Sequence, residues 1–151
     1  MSQSLHQLYA HIIFSTKHRK PFLSDQEQRF KLHAYITGIL NKLECYSIIV
    51  GGVEDHVHIG CALTKKYASP KVLEFVKKDS SKWLKTLSPT FRNFHWQDGY
   101  GLFSVCSSHF DLLKQYITNQ VEHHRTETFQ EEFIKLCKKN GVSFDERYLW
   151  D

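Results

Sequence analysis

The chain has 151 residues, the size of one domain, with 41% hydrophobic and 24% charged residues and 11 Phe, 7 Tyr and 3 Trp to fill a core. That composition excludes disordered, collagen-like and low-complexity classes, and no run approaches the ~18 apolar residues of a membrane span. The opening MSQSLHQLYAHIIF has no basic region and no small-residue cleavage site, so the expectation is a soluble, cytoplasmic protein. Cys45, Cys61, Cys106 and Cys137 stand far apart without a C-x-x-C pair, which excludes a zinc ribbon and a thioredoxin-like redox site and leaves reduced, partly buried thiols. The net charge of +4 is unevenly spread: basic residues outnumber acidic ones up to residue 125, and the order reverses over 126–151. A basic body favours a polyanionic partner such as nucleic acid.

Leu8 to Ser15, rich in β-branched and aromatic residues, predicts a first strand that ends in the basic run Thr16-Lys17-His18-Arg19-Lys20 before Pro21. Ser24 or Asp25 can cap a helix that runs to about Lys42, with Phe30, Leu32, Ile36, Ile39, Leu40 and Leu43 at helical spacing. Cys45 to Val53 and Val57 to Leu63 read as a hairpin turning around Glu54-Asp55. Ser69-Pro70 opens a second helix with Val72, Leu73, Val76, Trp83, Leu84 and Leu87 on one side and Lys71, Lys78, Lys82 and Lys85 on the other. Phe91 to Trp96 and Tyr100 to Val105 flank Asp98-Gly99 and read as a last pair of strands. From Asp111 a helix is predicted to about Arg125, with Leu113, Ile117 and Val121 as its apolar line. The order β-α-β-β-α-β(β)-α predicts an α+β, ferredoxin-like split βαβ fold: an antiparallel sheet with helices on one face and a C-terminal helix that bears Tyr116.

Two features carry chemistry. In Asp55-His56-Val57-His58-Ile59 strand alternation puts both imidazoles on one face, ~6.5 Å apart along the backbone, a spacing at which two histidines hold one metal ion. In Tyr116-Ile117-Thr118-Asn119-Gln120 the tyrosine and the glutamine lie one helical turn apart on a shared face. A phosphodiester pinned to a divalent ion by His56, His58 and Gln120 becomes an electrophile for the Tyr116 hydroxyl. His123 and His124 are alternative ligands or proton carriers, and Glu54 and Asp55 can orient the imidazoles from behind. Oxygen and imidazole ligation suits Mg²⁺ or Mn²⁺ better than a closed structural zinc.

These motifs resemble those of the HUH-type single-tyrosine transposases of bacterial insertion sequences, the IS200-like family. The resemblance runs through Phe14-Ser15-Thr16-Lys17, Gly51-Gly52-Val53 leading to Asp55-His56-Val57-His58, Trp96-Gln97-Asp98-Gly99-Tyr100-Gly101, and Tyr116 to Gln120 followed by Glu122-His123-His124-Arg125. It implies a single catalytic domain over 1–151 that cleaves and rejoins single-stranded DNA through a 5′-phosphotyrosine intermediate, with His56, His58 and Gln120 as metal ligands and Tyr116 as nucleophile. It also implies a homodimer and a DNA hairpin as partner, with Lys17, Arg19, Lys20, Lys65 and Lys66 as candidate phosphate contacts. Residues 126–151 exceed what the tyrosine helix needs, and Phe129, Phe133, Leu136 and Tyr148-Leu149-Trp150 predict docking on the body or on a partner. Two rival readings share the fold: a hairpin-binding relative without chemistry, and a metal-dependent nuclease that uses water as nucleophile.

Overall fold

Along β1 (Tyr9–Ser15) the side chains of Ala10, Ile12 and Phe14 alternate with those of Tyr9, His11 and Ile13, and this parity separates two sides of the molecule. The computed structural model describes residues 2–151. It continues through α1 (Gln26–Lys42), β2 (Tyr46–Gly52), β3 (His56–Ala62), α2 (Ser69–Leu87) and β4 (Gly101–Ser104), then α3 (Phe110–Thr118), α4 (Gln120–His123) and α5 (Phe129–Lys139). The four strands form one antiparallel sheet in the order β2-β3-β1-β4, with the two crossover helices on a single face: the α+β, ferredoxin-like arrangement.

On that face Ala10, Ile12, Phe14, Val57, Ile59 and Cys61 meet Leu32, Ile36 and Leu40 of α1 and Val72, Leu73, Val76 and Leu84 of α2. Each such large side chain contributes about 1.5–3 kcal/mol when fully buried. Asp25 caps α1 by accepting from the Gln28 amide, and Pro70 sits in the first turn of α2, where its missing N–H costs nothing. Phe30, counted in the apolar line of the first helix, is 55% exposed and lies outside the core.

The opposite face carries the C-terminal helices. Phe110, Leu113 and Ile117 of α3 pack near Tyr9 and Ile49, and Phe129, Phe133 and Cys137 of α5 pack on Ile13 and Phe103. Glycine makes the close approach of α3 possible. A Cβ on Gly51 would lie 2.6 Å from the Ile117 carbonyl oxygen, and one on Gly60 would lie 2.9 Å from Ile49 and 3.1 Å from both Ile117 and Leu113. The helix that bears Tyr116 therefore rests directly on the sheet.

Two expectations are corrected. Phe91 to Trp96 is not a strand: after a 3₁₀ turn at Pro89–Phe91 it sends Phe91 and Phe94 into the core, and only Trp96 bridges, to Thr16. The aromatic run that reads as β is a plug, and the burial of its rings outweighs strand propensity. Side chains fasten the turn after Trp96: Gln97 Oε1 accepts from the Ser15 amide at 2.8 Å, and the Lys77 ammonium donates to the carbonyls of Gln97, Asp98 and Gly99. The tyrosine helix is not continuous to Arg125 either. It stops at Thr118, Asn119 leaves the helical region at φ −94°, ψ 21°, and a four-residue turn resumes at Gln120. Val121, which continues the apolar period, is 48% exposed, so no burial rewards carrying the helix on.

Candidate functional site

β3 pairs with β1 so that Ile13 stands opposite His58 and Ser15 opposite His56. Both imidazoles point to the side covered by α3, α4 and α5, and both are fully buried. From α5 the carboxylate of Glu132, 2% exposed, reaches them: its Oε1 lies 3.0 Å from His58 Nε2, 3.0 Å from His124 Nε2 and 3.4 Å from His56 Nε2. Its Oε2 accepts from the Tyr116 hydroxyl and, at 3.4 Å, from the Gln120 side-chain amide, and lies 3.2 Å from His123 Nε2. Gln120 Oε1 is in turn 3.4 Å from His56 Nε2. Tyr116 thus faces the histidines of its own chain, its ring centroid 5.6 Å from that of His58.

The structure brings Tyr116, His56, His58, Gln120, His123 and His124 into one cluster. Asp55 stands behind it, accepting from His56 Nδ1 at 2.7 Å. Glu54 is exposed and contacts none of these histidines through its carboxylate; its carbonyl accepts from the Leu23 amide. Lys17, Arg19 and Lys20 follow the end of β1 nearest His56, whereas Lys65 and Lys66 follow the far end of β3, so they form two separate basic groups. Lys17 pairs with Asp98 at 3.7 Å, Lys66 pairs with Glu44, and the Arg19 guanidinium lies over the Trp150 ring. Lys78, Lys82 and Lys85 are exposed on α2, across the sheet from the cluster.

Two central residues escape a reading of the sequence. Glu132 lies 74 positions from His58, yet one signal marks it: it stands between Phe129 and Leu136 at helical spacing, a carboxylate inside an apolar stripe. His11 shares strand parity with Ile13, but only the β1–β3 register reveals that it meets His58.

Burial disfavours the His56 imidazolium, but hydrogen bonds to Asp55 and Glu132 outweigh it and the pKa is raised to about 9. His58 is lowered to about 4 by burial in spite of Glu132, and His11 to about 3 by burial and by neighbouring His58. Burial opposes charge on Glu132 as well, yet hydrogen bonds from His124, His56 and His58 hold its carboxyl well below the usual range. Burial and the hydrogen bond to Glu132 push the Tyr116 phenol up. In the ion-free chain His56, raised in the fold, contributes stability below pH ~6.5 that is lost as pH climbs through about 9. His58 and His11, lowered in the fold, contribute stability above pH ~6.5 that is lost as pH falls toward about 4 and about 3. Thermal melts in chelator are expected to peak near neutrality and fall on both sides; an alkaline limb unchanged in His56→Gln would contradict the assignment.

One ligand atom from each of His56, His58, His124 and Glu132 lies within 4.8 Å of all the others. With ligand bonds of about 2.0–2.2 Å, opposite donors around one ion stand ~4.2 Å apart, so this donor set takes a divalent cation by drawing in a few tenths of an ångström. Beside it a groove of about 770 Å³ opens between α3 and α5, floored by Phe103, Leu113 and Leu136, with Tyr116 on its wall and Lys135 and Lys139 along it. Among the described residues no helix is long and apolar enough to cross a membrane.

A sheet of this topology carrying a histidine pair and a helical tyrosine defines a class, and comparison with known proteins agrees. The sequence profile of the family described as "Transposase IS200 like" matches residues 4–120. The chain belongs to this transposase family. A crystal structure assigned as a transposase of Deinococcus radiodurans R1 superposes with a TM-score of 0.61 at 22% identity, covering 80% of this chain and 98% of that one. A REP-associated tyrosine transposase, solved bound to a REP hairpin, superposes with a TM-score of 0.55 at 15% identity, covering 82% and 74%. At these identities the likeness is one of fold. A search of curated proteins returned no significant match. The profile match ends at Gln120, so His124 and Glu132 lie beyond the shared region.

Proposed function

We propose that residues 1–151 form a single catalytic domain that cleaves and rejoins single-stranded DNA next to a hairpin, with Tyr116 as nucleophile and a divalent ion held by His56 and His58. The observation that carries this reading is the Glu132 carboxylate, which takes the Tyr116 hydroxyl on one oxygen and His58 and His124 on the other, so that nucleophile and donor set share one buried centre. Gln120, 3.4 Å from His56, completes the donors that can turn to the ion. Three imidazoles and a carboxylate favour Mn²⁺ over Mg²⁺, which prefers oxygen alone.

When bound, the ion supplies positive charge beside the scissile phosphate. Tyr116 Oη bonds to phosphorus as the bond from phosphorus to the 3′-oxygen breaks, leaving a 5′-phosphotyrosine and a free strand end. The phenol proton leaves to water past Glu132 Oε2, which orients the hydroxyl by accepting its hydrogen bond, and the departing 3′-oxygen takes a proton from water. Rejoining reverses these steps. The strand reaches Tyr116 along the α3–α5 groove, and Lys17, Arg19 and Lys20 meet phosphates at the His56 end of the sheet, setting position rather than sequence. Homodimerisation, implied by the family resemblance, belongs to this reading, although the cluster closes within one chain.

The test uses hairpin-bearing single-stranded oligonucleotides with Mn²⁺ or chelator, comparing wild type with His56→Ala. The wild type is expected to form a metal-dependent covalent adduct; His56→Ala is expected to lose adduct and ion uptake and to keep hairpin binding, because ligands and phosphate contacts are separate residues. Hairpin binding without cleavage by the wild type would leave a binding protein, and equal loss of binding in His56→Ala would overturn the division of roles.

A further inference from the structure

Two ring nitrogens decide how His58 is held. Its Nε2 faces Glu132 Oε1 at 3.0 Å, and its Nδ1 lies 2.8 Å from Nε2 of His11 on the neighbouring strand. The two rings stack at 5.0 Å with 23° between their planes, His11 is 4% exposed, and His58 is fully buried. A neutral imidazole carries one N–H. Without an ion, the hydrogen of His58 belongs on Nε2, where the carboxylate accepts it, so Nδ1 is bare and the His11 Nε2–H donates to it. Ligation by Nε2 demands the other tautomer, with the hydrogen on Nδ1, and the partner must then accept. A carboxylate, such as Asp55 behind His56, only accepts, and an ammonium only donates. An imidazole does either by exchanging tautomers.

We propose that His11 is the positioning residue that sets the tautomer of His58 and lets Nε2 become a ligand without leaving a buried nitrogen unpaired. The proposal rests on the metal reading above. The exchange balances: the proton on His58 Nε2 is displaced by the ion, the proton on His11 Nε2 crosses to His58 Nδ1, and His11 Nδ1 takes one from solvent in the groove that His11 lines. Neither ring changes its charge. The outer partner of a ligating histidine is worth about 10–100-fold in metal affinity.

The experiment is a calorimetric titration with Mn²⁺ alone of wild type, His11→Phe and His11→Gln, together with ¹⁵N spectra of the histidine rings of wild type before and after Zn²⁺. His11→Phe keeps the ring stacking and is expected to weaken Mn²⁺ binding about 10–100-fold. His11→Gln, whose amide donates or accepts, is expected to restore most of it. The wild-type spectra are expected to show His58 and His11 each moving from Nε2–H to Nδ1–H, and the His11 exchange is a readout that needs no variant and that a purely structural role of His11 would not move. Unchanged Mn²⁺ affinity in His11→Phe, or a His11 tautomer that stays put when the ion binds, would overturn the role of His11 alone, and a His58 that keeps its Nε2–H would remove it from the ligands. Failure of the wild type to take up either ion would overturn the metal reading with it.

Discussion

Replacing Tyr116 by Phe is expected to abolish the covalent protein–DNA adduct and to lower strand cleavage by a factor on the order of 10⁴ or more, the range in which removal of a nucleophile falls. The phenylalanine ring keeps the contacts that seat the helix, edge-on to His11 at 6.0 Å and to His58 at 5.6 Å. What disappears is the hydrogen bond to Glu132 Oε2 and a longer one, at 3.4 Å, with His123 Nε2, so stability should shift by only about 1–2 kcal/mol. Mn²⁺ uptake should persist, because His56, His58, His124 and Glu132 supply four clustered donors without the phenol oxygen. A denaturing gel with 3′-labelled oligonucleotide reads the chemistry, and a melt and a Mn²⁺ titration read the rest: a labelled protein band in wild type that is absent in Tyr116→Phe supports tyrosine chemistry. Cleavage at the wild-type rate in the variant, with no band in either protein, would assign the reaction to water.

The second large effect belongs to Glu132, the group on which Tyr116, Gln120 and four histidines converge. Glu132→Ala strips the shared acceptor from Tyr116, Gln120 and the buried histidines, and breaking a buried charged pair on one side costs about 3–5 kcal/mol. For a chain of this size that corresponds to a fall of roughly 6–20 °C in melting temperature. Mn²⁺ affinity should fall with it. Glu132→Gln keeps the volume and some hydrogen bonds while removing the charge, so it separates packing from ligation: near-normal melting with strongly weakened Mn²⁺ binding is the expected pattern. An Ala variant that binds Mn²⁺ as the wild type does would exclude Glu132 from the donor set.

The contrast between Glu132 and the His56-Val57-His58 pair shows what a single sequence reveals. Alternation along one strand is local, so the shared face of the two imidazoles is readable from three letters, as is the antiparallel sheet around them. Glu132 reaches the same face from a helix docked by Phe129 and Phe133, and nothing local distinguishes it from Glu131 beside it except its place in the apolar stripe. The break at Asn119 is hidden for the opposite reason: helical period continues through Val121, while the burial that would sustain it does not. Phe91, Phe94 and Trp96 have the composition of a strand and the role of a plug, a difference set by their burial in the core shared with α2 rather than by propensity.

The order in which the site's residues occur along the chain has a temporal consequence. Synthesis proceeds from the N-terminus, and segments fold as they emerge. His11, His56 and His58 appear early, Tyr116 late and Glu132 later still. A nascent chain that has exposed only the sheet carries the imidazoles without the carboxylate or the phenol, so the complete cluster cannot precede the arrival of α5. A chain truncated before Glu132 is born without the cluster's central anion.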